Sequence, residues 1–229
     1  MALNLLLPYP VVVIDTETGG LNPSDEISWK LNKKRVLERG SKVVGKFNKF
    51  AAPILEIGAI RLDPQTLEEV SYFHSICGPE VGEDFDDFLA KCTPQALKVN
   101  GFGDRLEELR GAPPLSNVLK DLVKWLPGHG NKVSKFLPAG QNVRFDLDMI
   151  NLAAERHNVD LEIRTPPLEL ISYSMLYFAL PETEIVANYK LTTVSSALGI
   201  NIDYAHTALF DTRMTAQCMR IMFKKLTNS

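Results

Sequence analysis

Two carboxylates near the start of the chain have the spacing expected of a metal site. Asp15 and Glu17 follow the apolar run at residues 11–14 and lie two positions apart. Alternate residues of a β-strand point to the same face, so a strand through this segment directs both carboxylates to one place. Two like charges side by side at a buried strand are unfavourable unless a cation lies between them, and a divalent metal ion is the obvious candidate.

The same motif has a second interpretation. Asp, Thr and Glu before Gly19 and Gly20 are also typical of a turn or of a helix N-cap. Taken alone, the motif does not decide between a metal site and a loop. The decision depends on whether other parts of the chain supply further ligands.

Two later segments supply such candidates. Residues 140–146 follow a predicted strand and place Asp146 at the beginning of a helix, and residues 206–211 place Asp211 in the same way, with His206 five positions earlier. Either aspartate alone would more often cap a helix or offset its dipole. A lone histidine would more often be an ordinary loop residue, as we interpret His74, His129 and His157. The joint occurrence with the first pair favours a metal site.

Periodic patterns predict the elements that must position these residues. Strands are expected at residues 11–15, 54–62, 70–77, 136–139 and 168–171, and helices at 115–126, 146–157, 192–198 and 211–226. Residues 63–66 are expected to form a turn, and residues 82–87 an acidic surface loop. Strands followed by alternating helices and strands are typical of a mixed sheet covered by helices.

Length and composition fit one intracellular domain. The 229 residues, 45% of them hydrophobic, can form one substantial core, so we expect a single domain over residues 1–229. No apolar run is long enough for a membrane helix, and the leading residues lack the basic region of a signal peptide. We therefore expect a cytoplasmic protein without a membrane partner. Three cysteines without C-x-x-C spacing, Cys77, Cys92 and Cys218, favour free thiols over disulfides or zinc.

Positive charge is concentrated in one segment although the formal net charge is −3. Residues 28–50 contain eight Lys or Arg residues and a single acid, Glu38. We expect a basic insertion at about residues 22–53. It either holds a phosphate backbone or only keeps a solvated loop soluble.

Together the motifs resemble those of the DEDDh 3'-to-5' exonucleases. This DnaQ-like family includes the epsilon subunit of bacterial DNA polymerase III, ribonuclease T and oligoribonuclease. The resemblance extends over residues 11–226 and is carried by Asp15-Thr16-Glu17, Gly20-Leu21, Glu56-Ile57-Gly58, Asn142-x-x-x-Asp146 and His206-x-x-x-x-Asp211. It implies an α/β, ribonuclease H-like fold with a five-stranded mixed sheet, in which an antiparallel meander and parallel strands are flanked by helices.

The resemblance also implies a reaction. The chain would hydrolyse phosphodiester bonds from the 3' end of DNA and release nucleoside 5'-monophosphates. Two divalent ions, Mg²⁺ or Mn²⁺, would be held by catalytic carboxylates from Asp15, Glu17, Asp146 and Asp211. His206 would be the general base that takes a proton from the attacking water.

Further residues would contact the substrate. By the resemblance these are Thr18, Gly20, Leu21, Asn142 and Phe145. Leu21 and Phe145 match positions that wedge against or stack on terminal bases, although both residue types also suit a core. Asn142 either holds the substrate or braces its own loop. We interpret Glu56 as a supporting carboxylate rather than a fifth ligand.

Two departures from the family pattern bear on the substrate. Gln141 stands where many members have histidine, so we expect no substrate contact of that kind here. Gln95 and Val99, before the turn at Asn100-Gly101, stand where ribonuclease T has an acid and a phenylalanine that select bases. The base preference of ribonuclease T is therefore not expected.

Nucleic acid with single-stranded or frayed 3' ends is the expected partner, and DNA is favoured over RNA. An RNA-trimming exoribonuclease like oligoribonuclease or ribonuclease T is the alternative. A DNA polymerase or another replication or repair protein is a further candidate partner, in keeping with proofreading. A non-catalytic nucleic-acid-binding or polymerase-docking module is a third hypothesis, but such a module gains nothing from clustered carboxylates that repel phosphate.

Overall fold

The computed structural model describes residues 7–21, 51–128, 135–163, 166–203 and 207–227, and most of the predicted basic insertion, residues 22–50, lies outside this description. The described strands are β1 Val11–Thr18, β2 Ile54–Leu62, β3 Glu69–Ile76, β4 Leu137–Gly140 and β5 Leu168–Glu169. The described α-helices are α1 Phe85–Leu89, α2 Pro94–Val99, α3 Leu106–Gly111, α4 Leu115–Trp125, α5 Val143–Arg156, α6 Leu170–Tyr177, α7 Leu191–Ala197 and α8 Ala208–Thr227. A short 3₁₀-helix, Phe102–Asp104, lies between α2 and α3.

The five strands form one mixed sheet in the order β3-β2-β1-β4-β5. β1, β2 and β3 are an antiparallel meander, whereas β4 runs parallel to β1, and β5 runs parallel to β4. The prediction of a five-stranded mixed sheet flanked by helices is confirmed. β1 is the central strand and is covered on both faces, which is why residues 11–14 are continuously apolar rather than alternating.

The two faces of the sheet carry different helices. On one face, Val11 and Val13 pack with Met219 and Met222 of α8. On the other face, Val12 and Ile14 pack with residues of α4 and α5. Because side chains alternate along a strand, Asp15 and Glu17 belong to the face of α8, and Thr16 belongs to the face of α5.

Most of the predicted elements are present, and the first strand is longer than predicted. β1 extends to Thr18, so Asp15 and Glu17 are strand residues and the turn interpretation of this motif is wrong. α5 begins at Val143 and α8 at Ala208, each three residues before the aspartate that was expected at the helix start. Both aspartates therefore lie in the first turn of their helices.

Several short helices were not predicted. The expected strand at residues 168–171 ends at Glu169, where a helix begins whose first turn is capped by the Glu169 carboxylate. The expected acidic loop is wrong in its second half, because Asp84 caps α1 and Phe85 is buried. Helices of five to eight residues contain too few turns for a readable period. Only local signals such as capping residues mark them.

The cysteines, His74 and the lengths of the helices bear on three smaller expectations. Cys77, Cys92 and Cys218 are all free thiols. His74 lies on β3 and not in a loop, and its ring contacts Glu56, so its interpretation as an ordinary loop histidine is wrong. Among the helices of the described residues, none has the length and apolar character needed to cross a membrane.

Candidate metal and catalytic site

β1 and β2 bring acidic side chains together on one face of the sheet. In the antiparallel register, Asp15 lies opposite Gly58 and Glu17 lies opposite Glu56. Paired residues of antiparallel strands point to the same face, so Glu56 joins Asp15 and Glu17 on the face of α8. Because Gly58 has no side chain, the start of α8 can occupy the space opposite Asp15.

The beginning of α8 fills that space. A Cβ atom at residue 58 would lie 2.3 Å from the carbonyl carbon of Ala208 and 2.5 Å from the backbone nitrogen of Leu209. Only glycine lets the helix approach β2 this closely. This approach places Asp211, in the first helical turn, beside β1, and carboxylate oxygens of Asp15, Glu17 and Asp211 all lie within 4.8 Å of one another.

Asp146 is attached to the same strand from the other face. Its side chain is 4% exposed, and its Oδ1 accepts hydrogen bonds from the backbone nitrogen of Thr16 at 2.9 Å and from the Thr16 hydroxyl at 2.7 Å. Asp146 also repels the charges of Asp15 and Glu17. The structure thus brings all four predicted carboxylates to one end of β1, with three in a close group and Asp146 tied to Thr16.

The crowding of acids makes the charged forms unfavourable. Burial, followed by repulsion from Asp211, Glu56 and Asp146, raises the pKa of Glu17 to about 7. Burial also raises the pKa of Asp146 to about 7, although the two bonds from Thr16 oppose this change. The pKa of Asp15 is raised well above its usual range by burial and by the neighbouring acids. A cation in this position would relieve all three effects.

The donor set fits a hard divalent cation. The close group offers carboxylate oxygens only, which are the ligands preferred by Mg²⁺ and Mn²⁺. Oε2 of Glu56 is in addition buried without a hydrogen-bond partner among the described residues. An unpartnered acidic oxygen next to repelling carboxylates is an arrangement that cation binding would make favourable.

The predicted substrate residues on the strand end differ in exposure. Leu21 is 84% exposed, so the core alternative for this residue is wrong. Thr18 is buried, and its hydroxyl donates to the carbonyl of Gly20 at 2.8 Å, which shapes the turn after β1. Leu21 is therefore presented at the end of a turn that is fixed by Thr18 and Gly20.

Asn142 and Phe145 lie where β4 passes into α5. Asn142 is exposed, has a left-handed backbone with φ of 55°, and makes no side-chain cap bond. The turn is instead held by Glu169, whose carboxylate accepts the backbone N–H groups of Asn142 and Val143. The Asn142 amide is thus not needed to brace its loop through a cap. Phe145 is half-buried against the core on the α5 face.

Gln141 has a structural contact instead of the histidine common in the family. Its Nε2 donates to the carbonyl of Tyr189 at 2.6 Å, and its Oε1 is buried without a partner among the described residues. The residue therefore ties the segment before α7 to the edge of the site. His206 lies outside the described residues, so its position relative to the carboxylates stays a prediction.

Sequence reasoning missed a cation at the site. The positive charge of Arg105 opposes the rise in the pKa of Glu17. Its guanidinium stacks on Phe102 at 4.5 Å and donates to the carbonyls of Asn100 and Gly101. Asn100 in turn donates from Nδ2 to the carbonyl of Thr18 at 3.1 Å, which clamps this loop to the end of β1. The Asn100-Gly101 turn was the sequence feature that could have pointed to this loop and to its arginine.

Comparisons with known proteins identify the family of this chain. The sequence profile of RNase_T, an exonuclease family, matches residues 12–219. Ribonuclease T of Vibrio parahaemolyticus is 26% identical over 176 residues, which cover 75% of this chain and 77% of that protein. The PolC-type DNA polymerase III of Bacillus cereus is 22% identical over 223 residues, which cover 97% of this chain and 12% of that protein.

Solved structures share the fold. E. coli exonuclease I in complex with a dT13 oligonucleotide has a TM-score of 0.66 at 16% identity, and the alignment covers 96% of this chain and 43% of that chain. A 3'-exonuclease described as recognising the 3' end of the histone mRNA stem-loop has a TM-score of 0.62 at 15% identity, covering 98% and 66%. This chain thus spans less than half of the exonuclease I structure. Because the family profile matches most of its length, the chain belongs to the RNase_T family of DnaQ-like 3'-to-5' exonucleases.

Proposed function

We propose that this protein is a metal-dependent 3'-to-5' exonuclease that removes nucleoside 5'-monophosphates from the 3' end of DNA. The observation that carries the proposal is the group formed by Asp15, Glu17 and Asp211, with carboxylate oxygens within 4.8 Å of one another. Membership of an exonuclease family supports the same reaction class.

The carboxylates hold the cations in this proposal. Asp15, Glu17 and Asp211 would bind two Mg²⁺ or Mn²⁺ ions, with Asp146 completing the set across β1. When bound, the cations supply positive charge that stabilises the attacking and leaving oxygens of the phosphodiester. The two bonds from Thr16 fix the Asp146 carboxylate relative to β1, so this ligand needs no reorganisation when substrate arrives.

His206 is proposed as the general base. The role comes from the family resemblance, and its chain position is just before α8, the helix that carries Asp211. An imidazole that titrates near neutral pH can accept a proton from the attacking water and release it to solvent. A water that has lost this proton attacks the phosphorus, and the 3' oxygen of the preceding nucleotide leaves.

Four groups are suited to hold the 3' end. Leu21 offers an exposed apolar side chain against which a terminal base can pack. Asn142 offers an exposed amide beside the first turn of α5. Arg105 offers a cation near Glu17, which can contact a phosphate that the acidic group would otherwise repel. The partly buried Phe145 would contribute through its exposed edge.

DNA is the first substrate proposed, and RNA is the second candidate. The solved exonuclease I neighbour was bound to a DNA oligonucleotide, whereas the curated relatives include ribonuclease T. An RNA-trimming activity is therefore the alternative. Association with a DNA polymerase is also proposed, and the alignment with a PolC-type enzyme supports it.

The basic insertion is proposed to grip nucleic acid beside the site. Its sequence neighbours meet at the end of β1, where the backbone nitrogen of Gly19 donates to the carbonyl of Pro53 at 2.8 Å. Lys and Arg residues between positions 28 and 50 can contact phosphates without reading bases. Deletion of residues 24–49 is expected to weaken DNA binding and its salt dependence; unchanged values would refute this role.

The proposed activity can be tested with end-labelled DNA and RNA oligomers of matched sequence in the presence of Mg²⁺ or Mn²⁺. We expect stepwise shortening from the 3' end, faster for DNA. Asp15→Ala and His206→Ala should both lose activity, and the matched control Asp121→Ala should not. Asp121 is an exposed residue of α4 that pairs with Lys124 at 2.7 Å.

Each outcome separates the hypotheses. Internal cuts, or activity of Asp15→Ala equal to wild type, would overturn the exonuclease proposal. Faster shortening of RNA would replace DNA by RNA as the substrate. Loss of activity in Asp15→Ala but not in His206→Ala would retain the cation site and remove the histidine from the proposed mechanism.

A further inference from the structure

Glu56 is a buried acid outside the set of four carboxylates that are proposed to hold the cations. It is 3% exposed on β2 and lies directly opposite Glu17 in the register with β1. The side chain therefore belongs to the same face as Asp15 and Glu17. It is close enough to both carboxylates to repel their charges.

One oxygen of Glu56 is held in place from the other side. Nε2 of His74, on the edge strand β3, donates to Oε1 of Glu56 at 2.7 Å. His74 is in register with Gly58, so it approaches Glu56 from the side of β3, away from β1. The bond fixes the rotation of the carboxylate and engages only one of its two oxygens.

The second oxygen has no protein partner. Oε2 of Glu56 is buried and makes no hydrogen bond among the described residues. Leaving a buried acceptor unpaired is unfavourable, so such an atom in a native protein calls for a partner that binds there. The neighbours on the β1 side are acids and cannot donate when they are ionised.

We propose that Glu56 is a positioning residue of the cation site, and that its Oε2 accepts a hydrogen bond from a water molecule in the hydration shell of the bound cation. The inference rests on the proposed function because it requires that cation. Glu56 lies outside the close group of Asp15, Glu17 and Asp211, and its Oε1 is already engaged by His74, so we assign it a contact through water in place of direct ligation. Mg²⁺ and Mn²⁺ sites commonly retain water ligands, and groups that orient such ligands tune affinity.

The geometry also assigns a task to His74. Without its donor, the Glu56 carboxylate would rotate, and both oxygens would be unpaired in a buried position. His74 itself is 36% exposed on an edge strand, so replacing it does not open the core. The pair Glu56–His74 therefore acts as one unit, in which His74 holds Glu56 and Glu56 holds the hydrated cation.

The test is the Mn²⁺ affinity of the full chain, measured by titration calorimetry without nucleic acid. Glu56→Gln keeps the shape of the side chain but presents an amide donor to the water when its oxygen accepts from His74. We expect its Kd for Mn²⁺ to rise about 10-fold, as for other residues that orient metal ligands. His74→Ala is expected to raise Kd by a smaller factor, because Glu56 stays present but is no longer fixed.

Glu80→Gln is the matched control. Glu80 also faces a histidine, His157 at 3.6 Å, and accepts two hydrogen bonds from Ser116, but it is not part of the acidic group on β1. Its replacement is expected to leave the Kd for Mn²⁺ unchanged, whatever it does to the melting temperature. The control separates loss of a histidine-facing carboxylate in general from loss of Glu56.

The outcomes distinguish this inference from the proposed function. A wild-type protein that binds no Mn²⁺ overturns both. A wild-type protein that binds Mn²⁺, with an equal Kd for Glu56→Gln, overturns only the role of Glu56, even if the melting temperature of the variant falls. If Glu56→Gln does not fold, an unchanged Kd in His74→Ala overturns the inference and a raised Kd supports it.

Discussion

Thr16 donates two hydrogen bonds to the same carboxylate oxygen of Asp146, one from its backbone nitrogen at 2.9 Å and one from its hydroxyl at 2.7 Å. The two residues are 130 positions apart in sequence. The contact connects the central strand to the first turn of α5 and favours the ionised form of a buried carboxylate, against the effect of burial on its pKa. It is the link through which α5 joins the acidic group.

Replacement of Thr16 by valine tests this link. Thr16→Val keeps the shape and the backbone donor but removes the hydroxyl, so the pKa of Asp146 should rise further. We expect a loss of about 1–2 kcal/mol in the free energy of unfolding at pH 8, and a smaller loss at pH 5, where Asp146 is protonated. Urea denaturation at the two pH values measures the difference.

Thr183→Val is the control for this prediction. The Thr183 hydroxyl donates to the carbonyl of Leu180 at 2.7 Å, not to a carboxylate. Its loss should cost the same at both pH values. An equal loss for Thr16→Val at pH 5 and pH 8 would contradict the assigned role of the Thr16 hydroxyl.

The raised pKa values of Glu17 and Asp146 predict how stability depends on pH. Glu17 and Asp146 have a pKa of about 7 in the folded protein, above the ordinary values of 4.5 and 3.8. Between these values and about pH 7 the folded chain binds more protons than the unfolded chain, so stability should fall as pH rises. We expect a decrease on the order of a few kcal/mol between pH 5 and pH 8 in EDTA, measured by urea denaturation.

Divalent cations should reverse this trend. Saturating Mn²⁺ binds the ionised carboxylates of the folded state and stabilises it by mass action. At pH 8 the free energy of unfolding should then reach or exceed the value found at pH 5 in EDTA. A stability that rises with pH in EDTA, or that does not respond to Mn²⁺ at pH 8, would contradict the arrangement of acids described above.

Gly58 should be intolerant of any side chain. The Cβ of Gly58→Ala would lie 2.3 Å from the backbone of Ala208, so the start of α8 must move away and take Asp211 with it. We expect a loss of about 1–3 kcal/mol in stability and weaker Mn²⁺ binding. Gly111→Ala is the control, because a Cβ at that position meets no atom within 4 Å. Normal Mn²⁺ affinity in Gly58→Ala would show that the approach of α8 is not required.

Arg105 should contribute to substrate binding and not to the chemical step. Arg105→Ala removes a cation whose charge acts on Glu17, so we expect a raised KM for oligonucleotides, a nearly unchanged kcat, and a salt slope of binding reduced by about one. The control is Arg110→Ala, an exposed arginine of α3 that pairs with Glu107 at 3.3 Å. Equal KM values for the two variants would remove Arg105 from the substrate site.

The sequence by itself determined the strands and the longer helices, and it singled out the four acids that the fold brings together. The apolar run before Asp15 predicts a buried strand, and the patterns after Asp146 and Asp211 predict two helices that begin near these residues. The order of the motifs predicts a mixed sheet, because strands and helices of this order have few ways to pack. These features are local, so spacing and periodicity report them.

Only the tertiary structure decided how the acids divide and what surrounds them. The alternation of β1 sends Thr16 to the face of α5, so Asp146 is bound there while Asp15, Glu17 and Asp211 meet on the other face. The pairing of β2 with β1 and β3 brings Glu56 between Glu17 and His74. Strand register depends on contacts between residues far apart in sequence. The position of a loop such as the one that carries Arg105 depends on such contacts as well. A local pattern contains no information about those partners.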